Sequence, residues 1–181
     1  MEAFKKLSAT DIYIGKRVHL VTEQIMLPSG KETTWELIKH IGAAAVIPVD
    51  HEGKIIMVRQ YRNASDCITL EIPAGTLDAK NEDPKACALR ELEEETGYCC
   101  NNIEFLFKFY SSIGICDEVI SIYVATDLYE TQQDLDEDEF VDSERYTLDE
   151  LIAMIFSGKI IDNKTISSLL AYKHQLTSGK F

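Results

Sequence analysis

Positive charge is scarce in this chain. Eighteen lysines and arginines stand against 31 aspartates and glutamates, for a formal net charge of -13. No basic stripe runs along the sequence, which argues against a nucleic-acid binder. The acidic balance also repels anionic membranes and nucleic-acid backbones unless cations intervene. A small anionic substrate remains open if metal ions neutralise part of the site. Cysteine is sparse and unpaired: Cys67, Cys87, Cys99, Cys100 and Cys116 make an odd number with no CxxC pair, and the four histidines are scattered. That excludes a disulfide scaffold and a structural zinc site, and a reducing cytoplasm is the expected location. No apolar run approaches the ~20 residues of a membrane span. The opening MEAFKKLSATDIYIGKRV is polar and alternating, unlike a signal peptide. Internal repeats and low-complexity linkers are also missing. What is present is enough for a core: 181 residues, 45% of them hydrophobic, fit one domain with a small added element.

Residues 11–40 alternate apolar and polar side chains around a PSG turn at Pro28–Gly30. They predict two or three strands in an N-terminal arm, taken as residues 1–40, ahead of a main domain at 41–181. Gly42–Asp50 reads as a core strand, and Lys54–Arg62, after the His51–Gly53 turn, reads as its hairpin partner. ITLEIPAG leads to a Pro-Ala-Gly corner. A helix then follows. Asp83 can cap it, Pro84 suits its first position and Gly97 ends it. Its apolar face is expected at Ala86, Leu89, Leu92 and Thr96. Two strand patterns flank the Gly114 loop, an acidic loop follows, and helices are expected at about Leu148–Phe156 and Asn163–His174. The class is α+β.

The first helix contains ELEEE, four glutamates in five positions. Glu91, Glu94 and Glu95 share one face, with about 5–6 Å between Cβ atoms, and Glu93 points away. Near a helix C-terminus such charges repel one another and oppose the dipole. Divalent cations reverse that sign, and magnesium prefers such oxygens. Arg90 can hold a carboxylate by hydrogen bonds. A solvated acidic face is the alternative reading of charge alone.

The segment Gly75–Tyr98 resembles the Nudix box, G-x5-E-x7-R-E-U-x-E-E-x-G-U with U aliphatic. Glu82, Arg90-Glu91-Leu92, Glu94-Glu95 and Gly97 match it. Gly75 lies one position too far from Glu82, and Tyr98 is aromatic where the family is usually aliphatic. IKHIGAAAVIP, VRQYR, LEIPAG, SSIGICDE and GKIIDNKT look like the family's ADP-ribose pyrophosphatase branch over most of residues 35–172.

The resemblance implies a Nudix fold, a mixed β-sheet sandwiched between helices, with the N-terminal β arm joining a second copy into a homodimer. It implies hydrolysis of ADP-ribose to AMP and ribose 5-phosphate. GDP-mannose or another nucleotide sugar is the alternative substrate, and a non-catalytic Nudix binding module is a third reading. Magnesium, roughly two or three ions per site with manganese as a substitute, would be held by Glu91, Glu94, Glu95 and the Ala74 carbonyl. Glu82 and Arg90 would brace the loop and helix, with Gly75 and Gly97 as structural positions and Arg90 and Glu95 in the catalytic set. A general base would come from the acidic loop, with Glu139 the first choice and Glu137 the second. Residues 127–150 carry eleven carboxylates and one basic residue, Arg145.

Other assignments stay open. Arg59 and Arg62 could clamp phosphate or form surface ion pairs. Glu118, past Gly114, could contact metal or ribose or be an exposed acid. Trp35 could stack a base or pack an interface, and Tyr13 is read as packing. His19 and His40 are read as structural, and Cys87 as a buried small hydrophobe.

Overall fold

A computed structural model describes residues 3–135 and 140–179. The chain divides into two compact units, Met1–Gly42 with Tyr110–Val119, and Ala43–Phe109 with Ile120–Phe181.

The first unit is an antiparallel sheet of β1 (Lys5–Ile14), β2 (His19–Met26) and β3 (Glu32–Lys39), in that order. The PSG turn closes β2 to β3. Gly30 sits at φ +81°, where a Cβ would be strained, and its N–H donates to the Leu27 carbonyl at 2.9 Å. Alternation along β2 buries Val21, Glu23 and Ile25 on one face. Every residue of β1 is exposed. The buried Glu23 is met by Lys6 and by Lys39 at 3.7 Å, and Lys39 also reaches Asp117 at 2.9 Å. Asp117 accepts the His40 N–H, tying the Tyr110–Val119 segment to the end of β3.

The second unit has two sheets and three helices. One sheet has the order β7 (Ala74–Thr76), β4 (Ala43–Pro48), β9 (Val119–Glu130), β8 (Tyr98–Tyr110). The other has β10 (Val141–Tyr146), β5 (Ile55–Arg62), β6 (Cys67–Glu71). β4 and β9 run parallel while β4 and β7 run antiparallel, so the sheet is mixed. β4 is buried on both faces. Ala43, Ala45 and Ile47 join Met57, Ile72, Ile122, Leu151 and Leu169 in one core. Ala44 and Val46 join Cys87, Ala88, Leu92 and Tyr123 in another. The second cluster contains α1 (Pro84–Thr96), and the first contains residues of α2 (Leu148–Phe156) and α3 (Asn163–Thr177). Helices therefore cover both faces of the central strand.

Two expectations need correction. β4 and β5 do not form a hairpin. A single Val49–Ile55 bridge follows the turn, after which β4 pairs with β7 and β9, and β5 pairs with β6 and β10. β4 and the first half of β5, Ile55–Val58, are apolar runs buried on both faces, and such runs carry no period that specifies a partner. The buried face of α1 is also rotated from the expected one. It holds Cys87, Ala88, Glu91, Leu92, Glu95 and Thr96, while Ala86 is exposed and Leu89 half-buried. Two carboxylates share the face with the apolar residues, so a search for apolar spacing misplaces its centre. Among the described residues, no helix is long and apolar enough to cross a membrane.

Candidate active site

The site is built where α1 meets β7. The helix starts as its sequence dictates: Asp83 accepts the Lys85 N–H at 3.0 Å and Pro84 follows. It ends at Gly97, φ +70°, whose N–H reaches the Glu93 carbonyl. A Cβ at Gly97 would also stand 3.2 Å from the Gln133 backbone nitrogen. The last carbonyls of α1 are taken by the segment after β9. Thr131 N–H donates to Gly97, the Gln133 side-chain amide to Glu95, and Asp134 N–H to Glu94. Arg90, Glu93 and Glu94 with Gln132, Gln133 and Asp134 line an open cleft of about 520 Å³.

Glu91 and Glu95 are buried, at 8% and 3% exposure, on the face of α1 that carries Leu92. Ala74 N–H donates to Glu95 at 3.0 Å. The Glu91 carboxylate lies against the Cα of Gly75, in space that any side chain at 75 would occupy. Gly75 is thus required by close approach, not by its backbone angles. Arg90 bridges Glu91 at 2.7 Å and Glu94 at 2.9 Å, and donates to the Thr76 carbonyl at 3.2 Å. Its Nε faces Asp78 at 3.5 Å and Glu82 at 3.8 Å. Burial opposes the Arg90 charge, but Glu91, with help from Cys87 and Glu94, outweighs it and raises the guanidinium pKa. Glu82 accepts the Asp78 N–H at 2.5 Å, which closes the loop despite its extra residue. Burial pushes the Cys87 thiol up to about 12, as suits a small core residue.

Among the described residues no three His, Cys, Asp or Glu side chains converge on one point. Glu91 and Glu94 turn to Arg90, and Glu95 turns to Ala74. The donor set nonetheless suits a hard divalent cation: all its side-chain atoms are carboxylate oxygens, two of the carboxylates are buried, and Gly75 keeps a cradle open beside Glu91.

The other expected residues fall in several places. Arg62, on β5, binds Glu71 through two hydrogen bonds of 2.8 and 2.7 Å. Arg59 binds Glu144 at 2.5 Å and lines a second surface hollow with Tyr61, Ile68, Leu135 and Phe140. Trp35, Glu118 and Gly114 belong to the first unit. Trp35 is half-exposed on β3 with the Phe4 ring 5.6 Å away. Glu118 stands 3.2 Å from His40 Nδ1. Gly114 faces open space in the turn before Glu118. His19 pairs with Asp11 at 2.6 Å. Glu137 and Glu139 lie outside the described residues. Tyr98, the aromatic departure, has a polar outlet: Arg145 donates to its hydroxyl at 2.6 Å and lies over its ring. Sequence reasoning missed Glu71, Gln133 and Lys164: Lys164 meets Glu71 from 93 residues away and Gln133 meets Glu95 from 38, contacts that leave no signal in spacing.

The NUDIX domain family model matches residues 39–169. The chain belongs to the Nudix family. The Nudix chain is 42% identical over 180 residues to the ADP-ribose pyrophosphatase of Bacillus subtilis (strain 168), covering 97% of each. It is 46% identical to the methanol dehydrogenase activator of Bacillus methanolicus over 164 residues, 90% of this chain and 88% of that one. A solved structure described as an ADP compounds hydrolase superposes with a TM-score of 0.86 at 21% identity, covering 100% of this chain and 98% of that one, which supports the Nudix fold.

Proposed function

We propose that this Nudix hydrolase cleaves the diphosphate of ADP-ribose to AMP and ribose 5-phosphate with magnesium as cofactor. One observation carries the reading. At the positions of the Nudix box, Glu91 and Glu95 of one helix stand beside the β7 backbone, and Arg90 joins Glu91 to Glu94 on the same helix. Glu91, Glu94, Glu95 and the Ala74 carbonyl would hold the metal. When bound, it supplies charge neutralisation of the diphosphate and acidifies water. Arg90 and Glu82 hold the β7 loop against the helix. Arg62 and Arg59 offer guanidinium groups to phosphate. Glu139, or else Glu137, acts as the base that takes a proton from water. The pyrophosphatase relative of nearly full length supports ADP-ribose as substrate.

The test is a substrate panel with magnesium, reading kcat/KM and products for ADP-ribose, GDP-mannose and dinucleotides. ADP-ribose preferred, with AMP and ribose 5-phosphate formed, is expected. Preference for GDP-mannose would move the reading to the GDP-mannose pyrophosphatase relatives, 34% identical over 138 residues in Yersinia enterocolitica. No hydrolysis of any member, with a methanol dehydrogenase accelerated on addition of this chain, would favour the activator reading.

The first unit serves as a dimer element in this proposal. Leu7, Ile12, Tyr13, Ile14 and Trp35 are exposed apolar side chains on its strands. Sedimentation showing a monomer at micromolar concentration would remove that part. A cytoplasmic location agrees with five free cysteines among the described residues.

A further inference from the structure

A second charged cluster in the same unit has no part in the box. Glu71, at 2% exposure, is the last residue of β6. Its Oε1 accepts from Arg62 Nε and from the Thr69 hydroxyl at 2.6 Å, and its Oε2 accepts from Arg62 Nη2 and from Lys164. The carboxylate's roughly four acceptor sites are then filled. Lys164 also meets Asp162 at 3.1 Å, and Asp162 caps α3. Thr165, next on the helix, donates to Asp162 and accepts the Ile72 N–H at 3.0 Å. Ile72 leads through Pro73 to Ala74, whose N–H is bound to Glu95.

This arrangement fixes Arg62 in a particular way. Two of its five N–H groups are spent on Glu71, and both lie on the Nε–Nη2 edge. Among the described residues no hydrogen bond uses Nη1, and the side chain is 39% exposed. The hydrogen bond to Glu71 chiefly raises the Arg62 pKa against its burial, and the charge of Glu95 adds to it, so the acidic helix lies within electrostatic reach of this guanidinium. A carboxylate anchored on one cation alone can swing with it. Here Lys164, itself only 12% exposed and pinned by Asp162, holds the far oxygen.

We propose that Lys164, acting through Glu71, is a positioning residue that presents the Nη1 edge of Arg62 to the substrate's diphosphate. The inference rests on the reading of Arg62 as a phosphate contact. Lys164 touches no substrate. It sets the plane of the guanidinium and ties that plane to the α3 cap, so that Arg62 and the Ala74–Glu95 contact share one support.

The experiment is a double-mutant cycle on the full chain, reading KM and kcat for ADP-ribose and Tm. Arg62→Ala is expected to raise KM at least tenfold. Lys164→Met is expected to raise KM about fivefold, with kcat within about twofold, and Lys164→Arg to restore most of it. In the Arg62→Ala background, Lys164→Met should add nothing to KM. A wild-type KM in Arg62→Ala removes the phosphate reading and this inference with it. A raised KM in Arg62→Ala with a wild-type KM in Lys164→Met overturns the inference alone, and so does a Lys164→Met effect that persists without Arg62. If Lys164→Met does not fold, Glu71→Asp draws the carboxylate back by one methylene, and the same split of KM from kcat, absent in the Arg62→Ala background, is required of it.

Discussion

Two clusters built on buried glutamate, at Glu71 and at Glu91 with Glu95, meet opposite circumstances in one unit. At Glu71 two cations, Arg62 and Lys164, answer two carboxylates, Glu71 and Asp162, and hydroxyls complete the set. At α1 the single guanidinium of Arg90 lies within 4 Å of Asp78, Glu82, Glu91 and Glu94. Burial works against the ionised form of Glu71, yet the hydrogen bonds from Arg62 and the charge of Lys164 prevail and lower its pKa to about 2. The first cluster is closed and contributes to the fold. Among the described residues the second shows one guanidinium beside four carboxylates, and buried carboxylates with too little positive charge nearby cost several kcal/mol by order of magnitude. The difference between the structural ion pair and the proposed metal site is thus one of charge balance, since both are built on buried carboxylates.

The largest expected effect tests the open cluster. Glu91→Gln and Glu95→Gln should each lower kcat about a thousandfold, equivalent to ~4 kcal/mol of barrier. Neither should lower the Tm of the metal-free chain, because each removes a charge from a repelling set at a helix C-terminus. Circular dichroism melts and turnover on the same samples read both quantities. Turnover near wild type in the two variants would end the metal assignment. Glu139→Gln should lower kcat with magnesium affinity unchanged by equilibrium dialysis. If Glu137→Gln alone is impaired, the base moves there.

The closed cluster should respond in the opposite sense. Lowering the Glu71 pKa from 4.5 to about 2 corresponds to about 3 kcal/mol of stability. A depressed carboxylate gives its full contribution above the unfolded value. That contribution is lost as pH falls from about 4.5 toward 2. Glu71→Gln should therefore melt lower than wild type at pH 7, and the gap should narrow across that acid window. Urea unfolding at pH 7 and pH 3 measures it. An equal gap at both pH values would show that the ionised carboxylate contributes nothing and that the cluster is held by packing.

Legibility in the sequence follows the same division. Local chemistry was readable: Asp83, Pro84 and Gly97 bound α1 as expected, and α2 runs from Leu148 to Phe156. The third helix extends three residues past the expected His174, to Thr177. The box glutamates were placed on one helix by spacing alone, and Glu93 is exposed as expected. Pairing was not readable where strands are apolar on both faces, as along β4 and at Ile55–Val58 of β5. Nor were the partners of the arginines. Arg62 meets Glu71 nine residues away and Arg59 meets Glu144 across β5 and β10. Arg59 stands opposite Asp142, two places from Glu144, and Arg62 reaches four places along its strand to Glu71, whose register partner is Val58; residue spacing encodes neither contact. The need for Gly75 lies in the Glu91 carboxylate packed against its Cα, a contact between residues sixteen apart that spacing does not encode.

The smallest expected effect is the sharpest control on the comparison. Glu93 belongs to the same acidic run and carries the same charge, yet it is exposed. If crowding of charge along the sequence governed the site, Glu93→Gln would behave as Glu95→Gln does. If burial toward β7 governs it, Glu93→Gln should change kcat by no more than about twofold and stability by about 0.5 kcal/mol or less, the usual range for a surface substitution. The backbone carbonyl that receives the Gly97 N–H is untouched by the change, so the helix end stays capped. A thousandfold loss in this variant would mean that the metal-binding face has been assigned to the wrong side of α1.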